Sequence, residues 1–303
     1  MQSISDSIQT LKKQKNAVIL AHTYQPAEVQ DIADFVGDSY GLSVEAVKVK
    51  ADIIIFCGVM FMAETAAILN PGKKVIIPEP KAGCPMADMI TKDELVALKR
   101  QYPGHLVICY VNSTADIKAL SDICCTSSNA LGIVQQIPHE QGIIFVPDKH
   151  LGGYVQEKSG RSMVLWDGFC PTHVRITPDM IAASRAQHPA AAVLIHPEAP
   201  KASRDCADRV FSTGGMCDFV RKDAGQEYII ATETGIIHTL EKQNPEKKFF
   251  PVTDLALCPN MKKMTLEKVL AALEGSAGMV VTVPEDIAEK ARKSLTRMME
   301  MSE

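Results

Sequence analysis

The dipeptide Cys-Pro occurs at Cys84-Pro85, Cys170-Pro171 and Cys258-Pro259, spaced by 86 and 88 residues. Seven positions after each cysteine stands a threonine (Thr91, Thr177, Thr265). An apolar residue precedes each threonine (Ile90, Ile176, Met264), and an acid follows two positions later (Asp93, Asp179, Glu267). That pattern is a helix start: the hydroxyl caps the first free N–H groups, and the helix dipole favours an acid in the first turn. Upstream, ILAHTYQPAEV, ICYVNSTADIK and LIHPEAPKASR keep the same register. Counted from His22, Tyr110 and His196, position +12 is Asp34, Asp122 and Asp208. Position +17 is Ser39, Ser127 and Thr213. Length alone suggests two domains for 303 residues. The register argues instead for three fused copies of one unit of about 87 residues.

Each copy alternates short apolar, β-branched runs with helical patterns. Strands are predicted at 17–21, 53–56, 75–78, 106–110, 143–146, 163–166, 193–195, 228–231 and 249–252, and helices at 91–100, 177–186 and 265–274. Continuously apolar runs suit strands buried on both faces of a parallel sheet. The expected class is α/β: three homologous three-layer αβα domains with parallel sheets in a pseudo-three-fold triangle around a central site. The expected boundaries are 1–103, 104–189 and 190–303, the last carrying a C-terminal helix.

With 32 basic against 36 acidic residues the chain offers no basic footprint for nucleic acid. Its longest uncharged apolar run, 53–63, is too short to cross a bilayer. The start MQSISDSIQT lacks the basic and apolar regions of a signal peptide, so a cytoplasmic location is expected, without disulfides. Nine cysteines then read as core thiols mixed with metal or catalytic ones.

Equivalent positions of three packed units converge, and ligands of parallel sheets sit beyond the carboxyl ends of the strands. Cys84, Cys170 and Cys258 are therefore expected at one cavity. A [4Fe–4S] cluster held by three thiolates leaves one iron open as a Lewis acid. The alternative is that Cys-Pro marks three strand-to-helix turns with inert thiols. Cys57, Cys109, Cys124, Cys125, Cys206 and Cys217 are expected to be bystanders. The +17 hydroxyls each open an apparent helix, as caps or as parts of three anion sites. Position +2 holds Tyr24, Asn112 and Glu198, and with His22 and His196 these suit proton transfers at several carbons. His105, His139, His150, His173, His188 and His238 are expected to be structural.

In order along the chain, LAHTYQPAEVQDIADFVGDS, FMAETAAILNP, CPMAD, YVNST, CTSSNA, PDKHLGGYV, HPEAPK, STGGM, TETGIIH and CPNMKKMTLE resemble the quinolinate synthases, the iron–sulfur enzymes of de novo NAD biosynthesis. The resemblance implies condensation of iminoaspartate with dihydroxyacetone phosphate to quinolinate, phosphate and two waters. It implies Cys84, Cys170 and Cys258 as ligands of a [4Fe–4S] cluster whose fourth iron is open to substrate. His22, Ser39, Tyr110, Asn112, Ser127, His196, Glu198 and Thr213 would line the substrate site. Tyr24 would be an acid/base and Glu198 the leading general base, with His22, His196 and Tyr110 completing the catalytic set. An aspartate-oxidising enzyme is the partner that could supply the unstable imine. The chain departs from the family pattern at Thr23, Met60, His150 and Ala199, which bears on substrate positioning. Other readings of the same residues are an aconitase-like hydro-lyase, a non-enzymatic iron–sulfur sensor or a zinc-stabilised binding module.

Overall fold

A computed structural model describes residues 3–302. One series of elements recurs three times. The first unit contains α1 (Ile4–Gln14), β1 (Ala17–His22), α2 (Ala27–Asp31), β2 (Phe35–Gly37), α3 (Ser39–Lys48), β3 (Ile53–Cys57), α4 (Met60–Leu69) and β4 (Lys74–Ile77). The second contains α5 (Lys92–Gln101), β5 (Leu106–Tyr110), α6 (Ala115–Ala119), β6 (Ile123–Cys125), α7 (Ala130–Gln136), β7 (Ile143–Val146), α8 (Lys149–Ser159) and β8 (Val164–Leu165). The third contains α9 (Pro178–Gln187), β9 (Ala192–Ile195), α10 (Lys201–Arg204), β10 (Arg209–Val210), α11 (Thr213–Lys222), β11 (Glu227–Ala231), α12 (Ile236–Gln243) and β12 (Lys248–Pro251). Then follow α13 (Leu266–Glu274), β13 (Met279–Val280) and α14 (Glu285–Glu300).

The strands form three sheets, ordered β4-β3-β1-β2, β8-β7-β5-β6 and β12-β11-β9-β10, all parallel within these sets. The expected α/β class with three parallel sheets is what the chain adopts. In each unit the second strand pairs on one side of the first and the third on the other. The crevice at that switch in strand order lies beyond the ends of β1, β5 and β9. The sequence pattern passes over β2, β6, β10 and β13, the first three being the same edge strand of each unit. At two or three residues, these strands are too short to display a period of their own.

Three polar clamps explain much of the repeat. Asp34, Asp122 and Asp208 each accept a hydrogen bond from a main-strand N–H, that of Ile19, Val107 and Val193, at 2.8, 2.8 and 2.7 Å. Their own N–H groups return bonds to the carbonyls of the same three residues. A second clamp went unread in the sequence. Lys73, Arg161 and Lys247, each at +51 from its origin, reach carbonyls at the ends of α3, α7 and α11. Helix ends leave carbonyls without partners, so a cation there meets a structural need. The third recurrence is the expected cap: Thr91, Thr177 and Thr265 accept from the N–H of Glu94, Met180 and Lys268.

The helix after each Cys-Pro packs away from the sheet whose strands precede that cysteine, on the unit that follows it round the ring. α5 meets α6, α9 meets β11, and α13 meets α1 and β3. The cysteines thus lie on crossovers between units. After α13 the chain closes back on the first two units. β13 pairs antiparallel with β4, and α14 packs on α6, β6 and α4. Among the described residues, no helix is long and apolar enough to cross a membrane.

Candidate active site

His22 is the last residue of β1, Tyr110 the last of β5, and His196 follows β9 directly. All three point into one cavity of about 310 Å³, in the size range of small-molecule sites. Tyr24, Asn112, Glu198, Ser39, Ser127, Thr213, Cys84, Cys170 and Cys258 line the same cavity. Every residue the sequence singled out for the site therefore stands together, although the three units supplying them are far apart in the chain. Thr23, Met60, His150 and Ala199 do not line it.

The turn after the strand sets both histidines alike. The N–H of Tyr24 donates to His22 Nδ1 at 3.1 Å, and that of Glu198 to His196 Nδ1 at 3.3 Å. A nitrogen that accepts carries no proton, so each neutral ring presents its N–H at Nε2. Burial, chiefly, lowers both pKa values to about 3, which keeps the rings neutral.

Glu198 is buried, with both carboxylate oxygens engaged. Tyr110 donates to Oε1 at 2.5 Å, and His173 Nδ1 lies 2.7 Å from Oε2. Burial pushes this carboxyl up, but the His173 imidazole and the hydrogen bonds from His173 and Tyr110 prevail and hold it ionised. Burial and the Glu198 charge push the Tyr110 phenol well above its ordinary range. The pair is thus a carboxylate with a neutral phenol. From His173 the chain of contacts continues through Nε2 to Thr232 Oγ1 at 2.8 Å, to the Tyr24 hydroxyl at 2.7 Å and on to Thr213 Oγ1 at 2.8 Å. Tyr24 is also a neutral phenol, held so by burial. One continuous path therefore joins Tyr110 and Glu198 to Tyr24.

His173 corrects the expectation that it is merely structural. It stacks on His196 with centroids 4.6 Å apart and lies 3.2 Å from Cys170 Sγ. The signal was its place three residues after Cys170, where the other repeats carry apolar Ala87 and Met261. Glu233 was also missed. Fully buried, it pairs with Lys262 at 2.9 Å and accepts from the N–H of Cys258 at 3.1 Å.

The +17 hydroxyls are not helix caps. Asp38 and Ser212 cap α3 and α11, accepting from Gly41 and Gly215, which leaves Ser39 and Thr213 free to face the cavity. Ser127 precedes α7 by three residues. The expectation of three anion-binding helix starts is also altered, because Asp38 accepts from the N–H of Gly214 in α11 as well. A single half-buried carboxylate therefore serves two of those helix starts. The three +17 residues line the cavity beside Asn112, whose buried Oδ1 has no protein partner among the described residues.

The three Cys-Pro turns are built alike. Each sulfur accepts from the backbone N–H groups two and three residues on: Met86 and Ala87, Thr172 and His173, Asn260 and Met261. Proline at the intervening position has no N–H and presets the turn, which leaves the next two N–H groups aimed at the sulfur. Burial still raises all three thiol pKa values, that of Cys84 to about 12. A bare thiolate is disfavoured there, whereas a sulfur bound to a metal is neutralised by it and keeps its N–H donors. The donor set thus fits a metal group held by three thiolates. Cys57, Cys109, Cys124 and Cys125 are buried, Cys217 is half-buried, Cys206 is exposed, and all nine thiols are free.

The quinolinate synthetase A protein family matches residues 6–300. The chain belongs to that family. Its relatives include the quinolinate synthase of Dehalococcoides mccartyi strain CBDB1, 50% identical over 98% of this chain and 97% of that one. That of Geobacter metallireducens is 49% identical over 98% and 97%, and that of Caldicellulosiruptor saccharolyticus 46% over 100% and 99%. The family match spans all three units and every cavity residue named above.

Proposed function

We infer that this chain is a quinolinate synthase of NAD biosynthesis, condensing iminoaspartate with dihydroxyacetone phosphate to quinolinate, phosphate and two waters. The observation that carries the reading is one cavity uniting three Cys-Pro thiols, an ionised Glu198 and the neutral phenols of Tyr24 and Tyr110. Cys84, Cys170 and Cys258 would hold a [4Fe–4S] cluster, which when bound supplies an open iron as a Lewis acid for a substrate oxygen. Glu198 accepts protons from substrate carbon or nitrogen. Tyr24 and Tyr110 donate protons to departing oxygens. The His22 and His196 Nε2–H groups orient substrate carboxylates or carbonyls. Ser39, Ser127, Thr213 and Asn112 hold the remaining polar groups, including the phosphate.

The unstable imine calls for a nearby aspartate-oxidising enzyme as its supplier, and the reading places the protein in the cytoplasm. The test is anaerobic purification with iron and sulfide counts, followed by an assay for quinolinate from both substrates. About four irons and four sulfides per chain with quinolinate formed is the expected result. Iron-free protein that makes quinolinate would remove the cluster from the reading, and a loaded protein that makes none would remove the activity. A single metal ion per chain would favour Cys170, His173 and Glu198, whose ligand atoms lie within 4.8 Å of one another.

A further inference from the structure

Position +8 from the three origins holds Gln30, Lys118 and Arg204, at the end of the short helices α2, α6 and α10. They share only a side-chain donor, and all three are buried. Each turns back to the same carbonyl, at +3: Gln30 Nε2 donates to Gln25 O at 2.8 Å, Arg204 Nη1 to Ala199 O at 2.6 Å, and Lys118 Nζ to Ser113 O. That carbonyl ends the turn whose +2 residue is Tyr24, Asn112 or Glu198. Gln30 and Arg204 grip the turn twice, through Thr23 O at 2.9 Å and Pro197 O at 3.3 Å.

Each side chain also touches the preceding unit of the ring. Gln30 donates to Gly235 O at 2.9 Å and accepts from Thr239 Oγ1 at 2.6 Å. Arg204 donates to His150 O at 3.3 Å. Lys118 Nζ lies 5.4 Å from the centre of the Phe61 ring. A buried carbonyl needs a donor, and a local backbone bond would satisfy it without crossing a boundary. Three unlike residues making the same within-unit bond and the same outward reach point to a shared task.

We propose that Gln30, Lys118 and Arg204 are equivalent positioning residues. Each fixes the turn that presents Tyr24, Asn112 or Glu198 and locks it to the neighbouring unit, so that the three turns hold one geometry over the cavity. This rests on the functional reading above, because it assigns those turns to the reacting site. It extends that reading to residues that do not themselves touch substrate.

The test uses the cluster-loaded enzyme with Gln30→Met, Lys118→Met and Arg204→Met. Amide exchange is followed over residues 22–26, 110–114 and 196–200, beside kcat, KM, iron content and Tm. Each variant is expected to speed exchange about 10-fold in its own turn, the effect of one lost hydrogen bond, with iron content retained. Gln30→Met and Arg204→Met should lower kcat about 10-fold to 100-fold, because their turns carry proton-transfer groups. Lys118→Met should mainly raise KM, because its turn carries the binding amide of Asn112. Arg204→Lys, which keeps one donor, should recover most of the rate, and it serves as the readout if Arg204→Met does not fold. Unchanged exchange in the turn, exchange that spreads through the whole unit, or equal kcat and KM effects in all three variants would overturn the proposal. Wild-type enzyme that makes no quinolinate, with local exchange as expected, would instead overturn only the functional reading.

Discussion

Replacing Glu198 with glutamine separates its chemical role from its structural one. The carboxylate is held by a 2.5 Å bond from Tyr110 and a 2.7 Å contact with His173. An amide of the same shape keeps both partners. Tyr110 still donates to Oε1, and the amide N–H₂ donates to His173 Nδ1 once that ring carries its proton at Nε2, towards Thr232. Bonds to a charged group are worth about 1.5–3 kcal/mol each against roughly 1 for neutral ones, but a buried charge no longer has to be desolvated. These terms oppose one another, so stability should change by no more than about 1–2 kcal/mol. The rate should not survive. A lost general base costs about 10²–10⁴-fold in kcat, or roughly 3–5 kcal/mol of barrier. The assay is quinolinate formation at saturating concentrations of both substrates, on anaerobic protein matched to wild type for iron, sulfide and Tm. A Glu198→Gln enzyme within about 10-fold of wild-type kcat would refute the base assignment. A variant that loses its iron or unfolds would show that Glu198 supports the site mechanically.

Serine in place of Cys84, Cys170 or Cys258 should abolish the iron–sulfur absorbance and the bound iron, whereas Cys57→Ala and Cys125→Ala should keep both; iron counts decide between them. The folded-state pKa values of His22 and His196, about 3 against 6.5, mean that the unfolded chain binds more protons in between. Stability should therefore be constant above pH 6.5 and fall below it, by about 1.4 kcal/mol per histidine per pH unit. Denaturant titrations at pH 7.5 and 5.5 would show this, and His22→Gln should roughly halve the loss. Asp122→Ala leaves the buried N–H of Val107, now bonded at 2.8 Å, without its acceptor. It should cost about 1–3 kcal/mol in denaturant unfolding, and an exposed control such as Asp167→Ala should cost almost nothing.

The repeat register by itself pointed to three α/β units and to the strand-end and +2 residues that line one cavity with the three Cys-Pro cysteines. These were legible because an interaction within one unit leaves the same residue type at the same offset in all three, as Asp34, Asp122 and Asp208 do on their strands. The +51 clamp was equally present in the sequence, but the change from lysine to arginine at Arg161 obscured it. The tertiary structure alone decided which partners meet across units. Tyr110 meets Glu198 across 88 positions of chain, Tyr24 meets Thr232 across 208, and Asp38 caps a helix of another unit. His173 belongs to the site because Glu198 and Thr232 flank its ring, and only its departure from apolar Ala87 and Met261 marks it in the repeat. The physical reason is the loss of symmetry at the centre. Three equivalent surfaces can be built from one repeated pattern, but the chemistry performed where they meet is not three-fold. The side chains that perform it must therefore differ, and only their packing shows which of them touch.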